Sequence, residues 1–285
     1  MKVKILVGYH KKEILLKNDV FVPIHLGRSL YESKDQSEDK EWLYSNLIGD
    51  NSGENISQYN QDFCELTGIY WAWKNFSTIG NPDYVGFMHY RRWLALNGWP
   101  LPKNRNDIIA VDRSSFLRKN NKESVSQILT TGDVFTRTPL DFFETKGRES
   151  CREKGFEYIK TKYPILYNIY LEQKKKNCLY ASNIFVMKRE DFFKYCEILF
   201  DILNNYNSEG FPREKGYLAE FITSAYIGYL GRKYGSVTML PIVTPYENPR
   251  LRLLMIHVYK ILTLLTFGKF KQNLKKKRES LKFLY

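Results

Sequence analysis

His89, Tyr90, Arg91 and Arg92 stand together directly after an apolar run, Tyr84 to Met88, that Asn81-Pro82 bounds on its other side. The run has the pattern of a strand buried on both faces of a parallel sheet. In such a sheet ligands bind outside the carboxyl ends of the strands, so an imidazole, a phenol and two guanidinium groups are presented to a ligand. Adjacent arginines suit a phosphate or diphosphate, because each guanidinium makes bidentate, charge-assisted bonds. The plainer alternative is a solvated strand end whose arginines pair with nearby carboxylates.

A second group of polar side chains lies just upstream. Cys64 to Asn75 has helical spacing, and its Trp71 and Trp73 read as packing residues. Glu65 and Thr67, on the same segment, are harder to assign to a core. The stretch before it, Gly49 to Gln61, is polar and rich in Gly and Asn, and it includes Asn55 and Asn60. Two readings stand side by side: a loop that bonds its own backbone on the way into a helix, or a set of amides that contact a base, a ribose or sugar hydroxyls.

These groups need elements to position them. Lys2 to Val7 reads as the first strand, with Gly8, Tyr9, His10 and Lys11 at its carboxyl end, on the same sheet edge as His89. Phe21 to Gly27 is a second apolar piece, Arg105 to Val111 another strand, and Leu140 to Tyr170 a helical region that Pro164 breaks or kinks. Tyr180 to Lys188 reads as a strand with Asn183 at its mouth, where it faces a substrate or serves as a turn residue. Glu190 to Asn204 and Lys215 to Leu230 read as helices. Within the second, Glu220 sits among Leu218, Phe221, Ile222 and Ala225, either on the exposed face or buried for a purpose. Val237 to Val243 closes the series as a short strand. Alternating strands and helices without internal repeats give an α/β domain with a mostly parallel sheet.

The chain has 285 residues, 43% of them apolar and 15% aromatic, which supports a well-packed core. Four cysteines, Cys64, Cys151, Cys178 and Cys196, have neither C-x-x-C spacing nor companion histidines, so they read as reduced thiols rather than zinc ligands. The apolar stretch Val3 to Val7, interrupted by Lys4, is too short for a signal peptide, and a cytoplasmic location is expected. Neither G-x-G-x-x-G nor G-x-x-x-x-G-K-[ST] occurs, so a dinucleotide fold of the usual fingerprint and a P-loop are unsupported.

The segments GDNSGENISQYNQDFCELTGIYWAWKN, DYVGFMHYRRW, ASNIFVMKREDFFKYCEILFDIL and FPREKGYLAEFITSAYIGYL, followed by VTMLPIV, resemble the bacterial family catalogued as domain of unknown function 4422. Its members sit among the glycosyltransferases of capsule and lipopolysaccharide O-chain synthesis, some described as galactofuranosyltransferases. The resemblance implies a GT-A-like, Rossmann-type sheet over residues 1–249, holding a UDP-sugar in one half and a lipid-linked glycan acceptor in the other. On that reading Tyr9, His10, Asn55, Asn60, Glu65, Thr67, His89, Tyr90, Arg91 and Arg92 bind the nucleotide-sugar, Asn183 faces the acceptor, and Glu220 is the base of an inverting transfer. The plainer role for Glu220 is to cap or solvate its helix. Many GT-A enzymes carry Asp-x-Asp for a divalent metal; this chain has none, so no manganese or magnesium is called for and the arginines take its charge-neutralising part. A UDP-galactose or UDP-glucose pyranosyl transferase is the alternative within the class.

Residues 250–285 differ from the rest. They hold ten Lys or Arg against Glu279 alone, which is +9 of the chain's +13. Leu251 to Phe267 is apolar but interrupted by Arg252, His257 and Lys260, too charged for a spanning helix. The segment reads as a basic amphipathic helical tail that holds the protein against an anionic inner leaflet, or as a terminal helix packed on the domain. A nucleic-acid-binding module would use the same charge and the many Tyr and Phe. Confinement of the excess to one tail argues against it, and no nucleic-acid partner is expected.

Overall fold

The computed structural model describes residues 1–32, 39–101, 109–141, 149–207, 211–249 and Val258. Strands β1 (Val3–Tyr9) and β2 (Phe21–His25) are followed by short helices α1 (Arg28–Glu32) and α2 (Lys40–Asn46) and by β3 (Ile48–Gly49). Helices α3 (Asn60–Phe63) and α4 (Leu66–Lys74) lead to β4 (Tyr84–His89), β5 (Trp93–Leu94) and β6 (Ile109–Val111). Next come α5 (Arg113–Lys119), α6 (Lys122–Leu129), β7 (Val134–Arg137), α7 (Glu149–Lys162), α8 (Pro164–Lys175) and β8 (Phe185–Lys188). The described chain ends with α9 (Arg189–Asn204), α10 (Glu214–Tyr234), β9 (Thr238–Leu240) and β10 (Ile242–Pro245).

Seven strands form the main sheet in the order β3-β2-β1-β4-β8-β7-β9, and β5-β10-β6 form a small second sheet. β8 pairs antiparallel with both β4 and β7, while the other pairings of the main sheet are parallel. The carboxyl ends of β1, β2, β4 and β7 therefore share one edge with the beginning of β8. β1 and β4 read as largely apolar runs, broken in β1 only by Lys4, because helices cover both faces. Successive side chains go to opposite sides: Leu6 and Phe87 pack with α4, α9 and α10, whereas Ile5, Val7 and Met88 pack with Leu43 of α2 and Phe116 of α5. On the first side Trp71 is fully buried and Trp73 stacks on Phe200 at 5.8 Å, so both tryptophans are packing residues as their spacing indicates.

Several sequence expectations shift. Tyr180 to Lys188 is a strand only from Phe185, since Ser182 and Asn183 adopt φ of +71° and +49°. Val237 to Val243 divides at Pro241 into β9 and β10, which join different sheets. The helix at Cys64 begins two residues later, because Cys64 itself has φ +51°. Pro164 starts α8 at its first turn, where its missing N–H is no loss. The strand expected from Arg105 is seen as Ile109–Val111, the remainder lying outside the described residues, as do residues 142–148 and residues 250–285 apart from Val258; Leu140, expected to open a helical region, instead pairs antiparallel with Leu179. Among the described residues no helix is long and apolar enough to cross a membrane.

Candidate active site

The tight turn after β4 carries the first cations. Arg92 N–H donates to the His89 carbonyl at 3.0 Å, folding the chain back as β4 ends. Arg91 is exposed, with its guanidinium 5.8 Å from the Tyr90 ring centroid. Arg92 is half-buried and points Nη1 at Ser182 Oγ, 3.4 Å away. Arg137, at the carboxyl end of β7, places its own Nη1 3.4 Å from the same oxygen and donates Nε–H to the Thr138 carbonyl. Two guanidiniums thus converge on one neutral hydroxyl. Burial first, and then the charge of Arg92, lower the Arg137 pKa to about 10, while Glu220 acts in the opposite direction.

Glu220 is half-buried on α10, six residues past its start rather than at its head, and its charge is felt by Arg137, His89 and Cys64. Glu65, immediately before α4, accepts from Asn183 Nδ2 at 2.8 Å. Burial raises its pKa against the opposing pull of that bond and of Arg92 and Arg213. His89 lies 3.8 Å from Glu65 through Nε2, which is also 2.7 Å from the Ser182 carbonyl. Burial lowers its pKa to about 4, so at neutral pH the imidazole is uncharged and Nε2–H donates to that carbonyl. The contact with Glu65 is accordingly not an ion pair at that pH.

The sequence-selected residues separate into three groups. Glu65, His89, Arg91, Arg92 and Glu220 gather at the sheet edge. Tyr9 and Tyr90 form its floor instead of its surface: they are buried, stack at 5.7 Å, and Tyr9 Oη donates to the Ile14 carbonyl at 3.0 Å while accepting from Leu16 N–H at 2.9 Å. His10 sits above them at the exposed rim, edge-on to Tyr90 at 5.1 Å, and burial of its ring and the charge of Arg91 lower its pKa.

The polar loop makes its described bonds to the protein itself. Asn55 Nδ2 donates to the carbonyls of Asn51 and Gly53, and Asn60 Nδ2 donates to Cys64 O and Thr67 Oγ1. Their anchor is buried Asp50. Its carboxylate accepts from Gly27 N–H (2.7 Å), Arg28 N–H (3.0 Å), Ser57 Oγ (2.5 Å) and Thr67 Oγ1 (2.6 Å). Thr67 is fully buried, as is Asn183, whose amide is engaged at both ends. Asn183 therefore offers no surface to an acceptor. The expectation that it faces one is corrected by a backbone that turns inward at Ser182 and Asn183.

Sequence reading missed Arg137, Ser182 and Arg213. Val134 to Arg137 carries the same signal as β4, a buried run ending in arginine, but with a single cation. Arg213 begins α10 with φ +67°, its N–H donated to Gln61 O at 3.2 Å. Proximity of α10 to the Glu65 segment is fixed by Gly216, where a Cβ would stand 2.9 Å from Cys64 Sγ. Among the described residues no group of three or more His, Cys, Asp or Glu is arranged to hold a metal ion.

The arrangement defines an α/β domain whose sheet edge brings together Arg91, Arg92 and Arg137 with the carboxyl groups of Glu65 and Glu220. The chain belongs to the family described as a domain of unknown function, DUF4422, which it matches over residues 4–229. Among solved structures it is similar to an apo structure of WbbM, a bifunctional glycosyltransferase, with a TM-score of 0.74 and 24% identity over 87% of this chain. The chain spans 46% of that protein's length, and the likeness establishes the shared fold. No curated protein matches the chain.

Proposed function

We propose that the protein is a nucleotide-sugar-dependent glycosyltransferase of bacterial surface-polysaccharide synthesis, with a UDP-sugar as donor and a lipid-linked glycan as acceptor. The observation that carries this reading is the convergence of Arg92 and Arg137 on Ser182 Oγ, at a sheet edge that also holds Glu65 and Glu220. Converging guanidiniums suit a diphosphate, and a carboxylate beyond them suits an acceptor hydroxyl.

In the proposed reaction the acceptor oxygen attacks the anomeric carbon as its bond to the diphosphate oxygen breaks. Glu220 takes the hydroxyl proton, and the negative charge that develops on the departing UDP is stabilised by Arg91, Arg92 and Arg137. Attack from the face opposite the leaving group inverts the anomeric centre. Galactofuranose is the proposed sugar, in line with the resemblance of the sequence to a family that includes galactofuranosyltransferases. Residues 250–285 are proposed to keep the protein on the inner face of the plasma membrane.

The test is a thermal-shift panel of UDP, UDP-galactose, UDP-glucose and UDP-galactofuranose, followed by transfer assays with Glu220→Gln. Stabilisation by UDP and loss of about 10²–10⁴-fold in turnover with retained UDP binding are expected. Indifference to every nucleotide, with salt-dependent RNA binding instead, overturns the reading. Because arginines supply the positive charge, turnover is expected to persist in excess EDTA; loss there and rescue by manganese would overturn that part.

A further inference from the structure

Asn183 holds an unusual position for a residue so close to the candidate site. It is wholly buried, with φ of +49° directly after Ser182 at +71°. Left-handed backbone at two consecutive residues other than glycine is costly and persists only where the surroundings impose it. Here the surroundings are a line of buried polar groups. Tyr195 Oη of α9 lies 2.7 Å from Thr223 Oγ1 of α10, Thr223 Oγ1 donates to Asn183 Oδ1 at 2.6 Å, and Asn183 Nδ2 donates to Glu65 Oε1 at 2.8 Å.

The direction of every bond follows. Since the single Thr223 proton goes to Asn183 Oδ1, the Tyr195 hydroxyl is the donor in the first bond. With its oxygen engaged by Thr223, the Asn183 amide can present only its NH₂ to Glu65. Were it flipped, Thr223 could still accept from the amide NH₂, but two oxygens would face each other across 2.8 Å at Glu65. The line thus fixes an otherwise ambiguous amide and brings one donor to the carboxyl that borders His89 at 3.8 Å.

We infer that Asn183 is a positioning residue, locked by Thr223 and Tyr195, that holds the Glu65 carboxyl in the orientation in which it hydrogen-bonds a hydroxyl of the transferred sugar. This rests on the transferase reading and deepens it. The guanidiniums serve the diphosphate, whereas Glu65 distinguishes a nucleotide-sugar from the bare nucleotide. Of this line only Glu65 keeps solvent exposure, 14% of its side chain, whereas Tyr195, Thr223 and Asn183 are buried.

Full-length Thr223→Val and Thr223→Ser test this directly, because valine keeps the volume and serine keeps the hydroxyl. Binding is measured calorimetrically with UDP, UDP-galactose and UDP-galactofuranose. Thr223→Val is expected to lower affinity for the nucleotide-sugar that wild type prefers by about tenfold, with UDP affinity within about twofold of wild type, while Thr223→Ser matches wild type for both. Asn183→Ala should show the larger version of the same split, and Tyr195→Phe the smaller one. Equal loss of UDP and nucleotide-sugar, or no loss with either Thr223→Val or Asn183→Ala, overturns the inference. Should Asn183→Ala fail to fold, the Thr223 pair decides alone. Wild-type protein that binds neither UDP nor any nucleotide-sugar overturns the transferase reading instead, so the two failures are distinguishable.

Discussion

Arg91 and Arg92 are neighbours in sequence yet meet different surroundings, and that difference sets what each contributes. Arg91 is exposed over Tyr90, so water screens it; Arg92 is half-buried beside Arg137. Replacing either with alanine is expected to weaken UDP binding by about 1.5–3 kcal/mol, the scale of a hydrogen bond to a charged group, with Arg92→Ala at the upper end. Unchanged affinity in both variants by calorimetry removes them from the diphosphate site. Protonation belongs to the same scale. His25 and His89 each have a pKa lowered to about 4, chiefly by burial. The unfolded chain, with ordinary values near 6.5, binds those protons first. Stability is therefore complete above about pH 6.5 and declines as the pH falls toward 4, with a ceiling on the order of 3 kcal/mol per imidazole. Glu65, whose pKa is raised, partly opposes this as it takes up a proton. Urea midpoints at pH 7 and pH 5 check the sign, and His89→Gln should flatten the slope. Equal midpoints in wild type refute it. Residue types marked the turn after β4 because a buried run that ends in several polar groups is rare, and there the fold brings His89 and Arg92 close to Glu65. The inward turn of Asn183 was not legible because it depends on Glu65, just before α4, and on Thr223 of α10, which no local pattern records.

Elements act here through the way they are tied together. Asp50 joins the β2–α1 turn, the short 3-10 turn at Ser57 and the first turn of α4 by accepting four bonds. Asp50→Ala leaves four donors without their acceptor and is expected to cost at least about 3 kcal/mol in chemical denaturation, before any effect on ligand. A change below about 1 kcal/mol would mean that water replaces the carboxylate without penalty. The join between β4 and β8 is equally exacting. A Cβ on Gly86 would stand 2.7 Å from the Phe185 carbonyl oxygen, a backbone atom that cannot swing aside. Gly86→Ala should destabilise by about 1–3 kcal/mol through overpacking and disturb the arginine turn that follows. Most strands and helices were legible because their runs are long and apolar. The boundaries at Cys64, Ser182 and Pro241 were not, since each depends on what the chain meets on the other side of the sheet.

For the molecule as a whole, charge is unevenly distributed: residues 250–285 carry +9 of +13. If that segment is the membrane anchor, truncation after Pro249 leaves UDP binding intact and releases the protein from anionic liposomes, and high salt weakens the full-length association. A truncated protein that still sediments with such liposomes places the contact elsewhere. Strand order has a further consequence, for the timing of activity during synthesis. Residues up to His89 can pair β1 with β2 and β4, but β4 must wait for Phe185–Lys188, and the Glu65–Asn183 bond closes a separation of 118 residues. Such closures are slow, because the chain loses entropy before the contact repays it. A growing chain on the ribosome therefore holds its first half of the site for some time without the second, and does not gain a complete one until α10 has emerged. Once folded, a ligand that bridges the two halves should lengthen the lifetime of the native state far more than it hastens refolding.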